Sequence, residues 1–377
     1  MSKRPAAAQR AKAHSNNTRS GRGRARPSRS AHAPAAGATS APCEGLVVGR
    51  RGPVYAVRQL KGPPPPNPAD LAAAALARLR AEGREPTLEI PEPAPIDPAR
   101  APCIARGGGK RAVVGDVVGF HWELNDLACG LITEVAERRN ALVRADALNR
   151  GPQTLAANLD RVWVVCATEP PPKRGLIDRY LVAAHARGIN AGVIFNKCDL
   201  LKDQEEREDA EDVLLPYEIL EHPTFMVSAE SGAGLSELRE ALRGERSVFV
   251  GHSGVGKTSL LNALIPSLNE AVGAVSEATG KGQHTTTTST LYELEGGGEI
   301  IDSPGIRGFG LWGMEPRELK EHFPEFKEFA PHCRFYNCLH VDEPTCAVRD
   351  AVEADELSFD RYEAYLKIFE DLEDLKG

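Results

Sequence analysis

The sequence predicts a multi-domain protein: an N-terminal β-barrel, a central α/β sheet and a C-terminal metal-binding helical module. Three observations predict it. Short apolar runs broken by Gly and Pro fill the first part, strand and helix patterns alternate from Leu159 onward, and three cysteines cluster with a histidine near the C-terminus. Several short strands with Gly turns read as a barrel. Alternating strands and helices read as a doubly wound sheet, which binds ligands at the carboxyl ends of its strands.

Composition sets the bounds. A length of 377 residues leaves room for two or three domains, and 41% hydrophobic content supports packed cores. No run of about 18 apolar residues occurs, so no membrane span is expected. The N-terminal stretch lacks an apolar signal-peptide core, so export is not expected either. Eight scattered cysteines without an export signal favour reduced thiols and a metal over disulfides, and a cytoplasmic location. The net charge of −7 is unevenly spread: residues 1–42 hold nine Lys/Arg and no Asp/Glu, leaving 37 basic and 53 acidic residues, a balance of −16. A basic arm on an acidic body suits a polyanion partner. The arm is rich in Ala, Gly, Ser, Pro and Arg and cannot bury enough apolar surface to offset its ordering entropy, so it is expected to be disordered. An RNA-binding arm and a solubilising tail both fit it.

The elements follow in order. Leu46-Val47-Val48 and 54–57 are short strands around a turn at Arg51-Gly52-Pro53. Residues 61–100 form a Pro/Ala-rich insertion with a rigid proline run at 63–66 and an Ala/Leu-rich helix at 71–79. Strand patterns resume at 104–106, 113–120, 130–135 and 141–143, completing the barrel. Arg106, Lys110, Arg111, Arg138, Arg139 and Arg144 lie among them; a basic RNA-holding face and a structural barrel with ordinary surface arginines both fit them. In the α/β part, strands are expected at 162–165, 193–195, 225–227, 247–250, 291–294 and 300–301. Helices are expected at 175–186, 214–220, 235–242 and 258–265. Residues 315–329 and 359–375 are helical by periodicity, the second with Tyr362, Tyr365, Leu366, Phe369 and Leu372 facing inward.

Chemistry is carried first by Gly251-His252-Ser253-Gly254-Val255-Gly256-Lys257-Thr258. This G-x-x-x-x-G-K-T string, followed by Ser259, sits between an expected strand and an expected helix, as a phosphate-binding loop requires. Glycines let backbone N–H groups turn toward phosphates, and the helix N-terminus adds a positive dipole end. Lys257 supplies charge at the β- and γ-phosphates, and Thr258 a hydroxyl for Mg²⁺. Asn196-Lys197-Cys198-Asp199 follows a strand and matches N-K-x-D, the guanine-recognition tetrapeptide. A carboxylate at Asp199 can accept from both N1–H and the 2-amino group of guanine, and adenine would leave it unpaired. Asn196 is expected at the base edge and the Lys197 stem over the ring. Ser228-Ala229 resembles the loop whose backbone N–H meets guanine O6. Asp302-Ser303-Pro304-Gly305 resembles D-x-x-G, with Asp302 reaching Mg²⁺ through water and the Gly305 N–H at the γ-phosphate. A switch threonine on Mg²⁺ is expected within 285–288, assigned to Thr286. The residue after D-x-x-G is Ile306, which cannot orient water, so His284 is the candidate catalytic group. Gly254 stands where cation-activated enzymes carry Asn, and no potassium site is expected. The guanine motifs precede the phosphate loop, the reverse of the Ras-like order, so the chain reads as a circularly permuted GTPase.

Cys333, Cys338, His340 and Cys346 place three thiolates and one imidazole within fourteen residues, a closed tetrahedral set suited to one structural zinc ion. His322 and His332 are weaker alternatives to His340.

Permuted GTPase motifs, an N-terminal barrel and this Cys-x4-Cys-x-His-x5-Cys spacing together resemble one family. It is the bacterial ribosome small-subunit-dependent GTPase A family, RsgA. The resemblance covers roughly residues 43–58 and 103–375. It implies an OB-fold barrel, GTP hydrolysis stimulated by the 30S subunit, late maturation of that subunit, one zinc ion, Mg²⁺ with GTP, rRNA contact and a monomer in the cytoplasm. The expected division is a basic arm at 1–42, the barrel at 43–152, the permuted GTPase at 153–313 and the zinc-binding helical module at 314–377. Three other readings remain open: an RNA-binding scaffold with a vestigial GTPase, a paralogous permuted GTPase with another RNA target, and a zinc-dependent DNA-binding regulator, which lacks a basic recognition helix.

Overall fold

Two periodicities build the molecule, and both appear in the computed structural model, which describes residues 40–67, 96–105, 111–123, 129–145, 152–266, 268, 289–302, 311 and 313–374. The expectations for the basic arm up to residue 39, for most of the insertion, and for Arg106, Lys110, His284, Thr286 and Gly305 lie outside these residues.

The barrel is made of β1 (Cys43–Arg51), β2 (Val54–Lys61), β3 (Ala101–Ala105), β4 (Val117–Trp122) and β5 (Gly130–Val135). They pair in the order β1-β2-β3-β5-β4, and β1 also pairs with β4, which closes the five strands into the OB-fold barrel. Alternate residues point inward: Val47, Tyr55, Val57, Cys103, Val118, Phe120, Trp122 and Ile132 form its core. The strand expected over 113–120 begins only at Val117, because Gly115 takes φ +93 and Asp116 turns the chain. The buried Asp116 carboxylate accepts from Val113 N–H at 2.7 Å and from Arg138 Nε at 2.7 Å, so the turn is held by a charge-assisted pair. A hairpin of β6 (Ala141–Ala145) and β7 (Pro152–Ala157) follows. β7 had no clear sequence signal, since Pro152-Gln153-Thr154 lacks alternation.

The α/β sheet contains β8 (Arg161–Ala167), β9 (Asn190–Asn196), β10 (Thr224–Met226), β11 (Arg246–Val250), β12 (Ser289–Glu293) and β13 (Glu299–Asp302). Its order is β10-β9-β8-β11-β13-β12, parallel except for β12. Trp163 and Val165 of β8 face one core with Leu238, Leu242, Leu260 and Leu264, while Val162 and Val164 face the other with Ile177, Leu181 and Ala184. Helices α1 (Arg174–His185), α2 (Gln204–Ile219), α3 (Leu235–Leu242) and α4 (Lys257–Leu264) supply those faces. α2 extends ten residues earlier than its expected start at 214. Its first turns are charged and show no apolar period, and they are started instead by Asp203, whose carboxylate accepts from Glu206 N–H at 2.9 Å. β1 also pairs antiparallel with β12, matching Gly49 to Thr290, so barrel and α/β sheet are hydrogen-bonded neighbours.

The helix expected over 315–329 is replaced by three 3₁₀ stretches: Pro316–His322, Pro324–Lys327 and Ala330–His332. Pro324 has no N–H to continue the first stretch, and Pro331 repeats the interruption. Helices α5 (Ala347–Glu353) and α6 (Phe359–Asp374) complete the module. Arg361 of α6 is buried between Asp178 of α1, to which its Nη1 donates, and Glu325, whose Oε1 accepts from its Nε at 2.7 Å. Its guanidinium lies 4.8 Å from the Phe323 ring centroid. Burial pushes the Asp178 carboxyl up, and Arg361 opposes that shift. Replacing Arg361 by Ala leaves the buried Asp178 and half-buried Glu325 carboxylates without their shared cation and is expected to cost about 3–5 kcal/mol. Thermal denaturation of Arg361→Ala should show a fall in Tm on the order of 5 °C.

Candidate nucleotide and metal sites

The carboxyl ends of β8, β9, β10, β11 and β13 lie side by side, and the expected site residues follow them. The phosphate loop leaves β11 at Val250 and opens α4 at Lys257. Its glycines do separate work. Gly251 takes φ +136, and a Cβ there would lie 2.1 Å from the Val165 carbonyl oxygen, so only glycine lets the loop pass β8. Gly256 takes φ +89, and a Cβ there would lie 2.4 Å from Asn196 Nδ2. His252, Ser253, Gly254, Thr258 and Ser259 are exposed, while Val255 is buried. Lys257 Nζ donates to the carbonyls of Gly251 at 2.9 Å and His252 at 2.6 Å, which holds the ammonium over the loop.

Asn196 is the junction of the site. It ends β9 and is only 1% exposed. Its Nδ2 donates to the Val255 carbonyl at 2.9 Å, and its Oδ1 accepts from Ala229 N–H at 3.1 Å. One side chain therefore ties N-K-x-D to the phosphate loop and to Ser228-Ala229. One lone pair of the carbonyl is used by Ala229 and one amide hydrogen by Val255, leaving one amide hydrogen and one lone pair for other partners. The Ala229 N–H, expected at a purine oxygen, is engaged by Asn196. The buried Ser228 hydroxyl accepts from Glu230 N–H at 3.2 Å and Ser231 N–H at 2.9 Å, so it shapes its loop.

Lys197 adopts the left-handed conformation at φ 64, and its ammonium donates to the Glu169 carbonyl. Its own carbonyl accepts from Thr168 Oγ1 at 3.1 Å. Thr168 and Glu169, just after β8, carry no motif and were not legible in the sequence. Burial pushes the Cys198 thiol up, so it packs as a neutral side chain. Asp199 is exposed in the 3₁₀ turn Cys198–Leu200, a carboxylate open to a base. Asp302 is exposed at the end of β13, two sheet positions from the end of β8. The strand-end row thus brings a glycine-built loop, the Lys257 ammonium and the exposed Asp199 carboxylate to one edge of the sheet.

The second site is the cysteine cluster. The candidate ligand atoms of Cys333, Cys338, His340 and Cys346 all lie within 4.8 Å of one another. Cys333 and Cys346 Sγ are 3.9 Å apart, and His340 Nδ1 is 3.5 and 3.4 Å from them. A tetrahedron with Zn–S near 2.3 Å and Zn–N near 2.0 Å has edges of roughly 3.5–3.8 Å. Cys333, His340 Nδ1 and Cys346 therefore match three corners of such a tetrahedron, and with Cys338 in the same group the set could hold a metal ion. Burial pushes the Cys338 thiol up to about 12 and holds the His340 imidazole below its ordinary value, hence neutral. His322 is engaged elsewhere, 3.1 Å from His185 Nδ1, and His332 is exposed. The knuckle is braced from behind: Tyr362 Oη donates to the His340 carbonyl at 2.7 Å, and Glu343 accepts from Leu339 N–H at 2.6 Å.

Strand order, loop placement and chain order together define a circularly permuted P-loop GTPase with an OB-fold barrel and a C-terminal Cys₃His module. A family model described as RsgA GTPase matches residues 135–312. "Small ribosomal subunit biogenesis GTPase RsgA 1" of Vibrio vulnificus (strain YJ016) is 41% identical over 277 residues, covering 73% of this chain and 78% of that protein. "Small ribosomal subunit biogenesis GTPase RsgA" of Haemophilus influenzae (strain 86-028NP) is 42% identical over 277 residues, covering 73% and 80%. The crystal structure of YjeQ from Thermotoga maritima is similar with a TM-score of 0.64 at 29% identity, covering 88% of this chain and 99% of that one. That of YloQ, a circularly permuted GTPase, gives 0.62 at 25% identity, covering 89% and 97%. The chain belongs to the RsgA GTPase family.

Asn196→Ala is expected to orphan the buried Val255 carbonyl and Ala229 N–H at a cost of about 1–3 kcal/mol. Titration with a fluorescent guanine nucleotide should show GTP and GDP weakened together. Gly256→Ala should do the same through a clash with Asn196.

Proposed function

We propose that this chain hydrolyses GTP during late maturation of the small ribosomal subunit, contacting rRNA and being activated by the 30S subunit. The observation that carries the reading is the convergence of three motifs on Asn196. Membership of a family whose relatives bear a small-subunit biogenesis name supports the biological setting.

In this reading Asp199 accepts from guanine and the Lys197 stem covers the ring. The backbone N–H groups of 251–259 cradle the phosphates, with the Lys257 charge at the β- and γ-positions. Thr258 and Asp302 would hold Mg²⁺, which neutralises charge on the phosphate oxygens when bound. Gly305 N–H meets the γ-phosphate, Thr286 is the switch threonine, and His284 orients the attacking water. Cys333, Cys338, His340 and Cys346 hold one structural zinc ion. With four protein ligands it offers no open position to a substrate. The same reading places the chain in the cytoplasm as a monomer, and no helix among the described residues is long and apolar enough to cross a membrane.

Four measurements test the reading. Purified 30S subunits should raise the rate of GTP hydrolysis. An unchanged rate would favour a paralogue with another RNA target. His284→Ala should lose turnover, on the order of 10²–10⁴-fold, while GTP affinity stays unchanged. Metal analysis should find one zinc per chain in the native protein and none in Cys346→Ala. Chelation should lower the melting temperature, because binding energy at a structural site is folding energy.

A further inference from the structure

The loop joining the first two cysteines of the cluster runs Cys333-Arg334-Phe335-Tyr336-Asn337-Cys338. Burial does not account for its centre. Tyr336 is 104% exposed and Phe335 39%, whereas Phe323, Phe326, Tyr362 and Tyr365 of the same module are buried. The loop is nonetheless fixed. Cys338 N–H donates to the Phe335 carbonyl at 3.1 Å, Arg334 N–H donates to the Thr345 carbonyl at 3.3 Å, and both end cysteines belong to the Cys₃His set. The Tyr336 ring is therefore held fully in water, with the partly exposed Phe335 beside it, on a short, doubly pinned loop.

Cations flank them. The Arg334 guanidinium lies 5.5 Å from the Phe335 ring centroid. Lys320 and Lys327 line, with Phe335 and Tyr336, a cavity of about 90 Å³. Lys320 is anchored by donating to the Cys338 carbonyl at 3.1 Å. Among the described residues Arg334 and Lys327 have no carboxylate partner. The one carboxylate lining the cavity is Glu321. A fully exposed ring and a partly exposed one, beside cations with no direct carboxylate partner, match a ligand that alternates flat π faces with negative charge. A single-stranded nucleic acid has that repeat, a base and then a phosphate. A protein partner would have to bring acidic and apolar groups in the same alternation.

We infer that Tyr336 and Phe335 are a stacking platform for an unpaired base of RNA, with Lys327 and Arg334 at the flanking phosphates. This rests on the reading of the chain as an rRNA-contacting GTPase and names the part of the RNA that the module takes. Duplex RNA keeps its bases stacked internally and offers nothing to the rings.

The test uses the full chain and a 2-aminopurine-labelled single-stranded RNA of about twelve nucleotides, a length within the range of known single-strand sites. The emission change on binding should be present in the native protein and in Tyr336→Trp. It should be lost in Tyr336→Ala, with affinity reduced about five- to hundred-fold. Lys327→Gln should lower the salt dependence by about 0.7 in log–log slope. Zinc content and basal GTP hydrolysis should be unchanged in all three variants, showing that the module is folded. Equal emission change and affinity in native protein and Tyr336→Ala would overturn the proposal, as would equal binding of the duplex. Loss of 30S binding in Tyr336→Ala with unaltered RNA binding would also overturn it, in favour of a protein contact. Failure of the native protein to respond to 30S subunits would instead sink the underlying reading, whatever the oligonucleotide does.

Discussion

The arrangement of the nucleotide site depends on one buried amide. Asn196 reaches a carbonyl 59 residues away in the phosphate loop and an N–H 33 residues away in the loop after β10. A buried amide that lost either partner would carry the full desolvation penalty, so the three segments are held to one geometry. Gly256 completes the constraint, because no side chain fits between the phosphate loop and Asn196. Circular permutation does not disturb this. Contacts between strand ends depend on which strands are neighbours and not on where the chain is cut.

The same logic joins barrel to sheet. β12 is bonded to β13 on one side and to β1 of the barrel on the other. Charge reinforces the seam. Arg58 of β2 pairs with Glu293 and Glu299, and Arg246, at the start of the strand that feeds the phosphate loop, donates to Glu299 Oε2 at 2.7 Å. Arg246 also donates to the Gly115 carbonyl at 3.2 Å, beside the barrel turn held by Asp116 and Arg138. Buried or half-buried arginine forks of this kind fix orientation as well as distance. The barrel is thus positioned relative to the phosphate loop by backbone pairing and by planar charge pairs.

At the other end, α6 serves two sides. Its Arg361 engages Asp178 of the α/β part, while Tyr362 and Tyr365, one turn along, donate to carbonyls of the metal knuckle. The run of 3₁₀ turns is held against α6 by these polar contacts and by the buried Leu319, Phe323 and Phe326, which pack in one core with Tyr365, Ile368 and Leu372. Residues 315–329 read as helical by apolar spacing, since Leu319, Phe323 and Phe326 are buried. Proline chemistry changes the hydrogen-bond pattern without changing which side chains face the core.

The sequence by itself determined the chemistry-bearing segments: the phosphate loop, N-K-x-D, the cysteine spacing and the alternation of strands and helices. Each is local, because a backbone cradle, a base-reading tetrapeptide or a closed ligand set needs neighbouring residues of fixed type. The tertiary structure alone decided which residues became struts. Thr168, Arg246 and Arg361 carry no motif, and their roles arise from partners between 29 and 183 residues away in the chain. Long-range hydrogen bonds leave no periodic trace in sequence. They exist only once packing has excluded water and made an unpaired polar group costly.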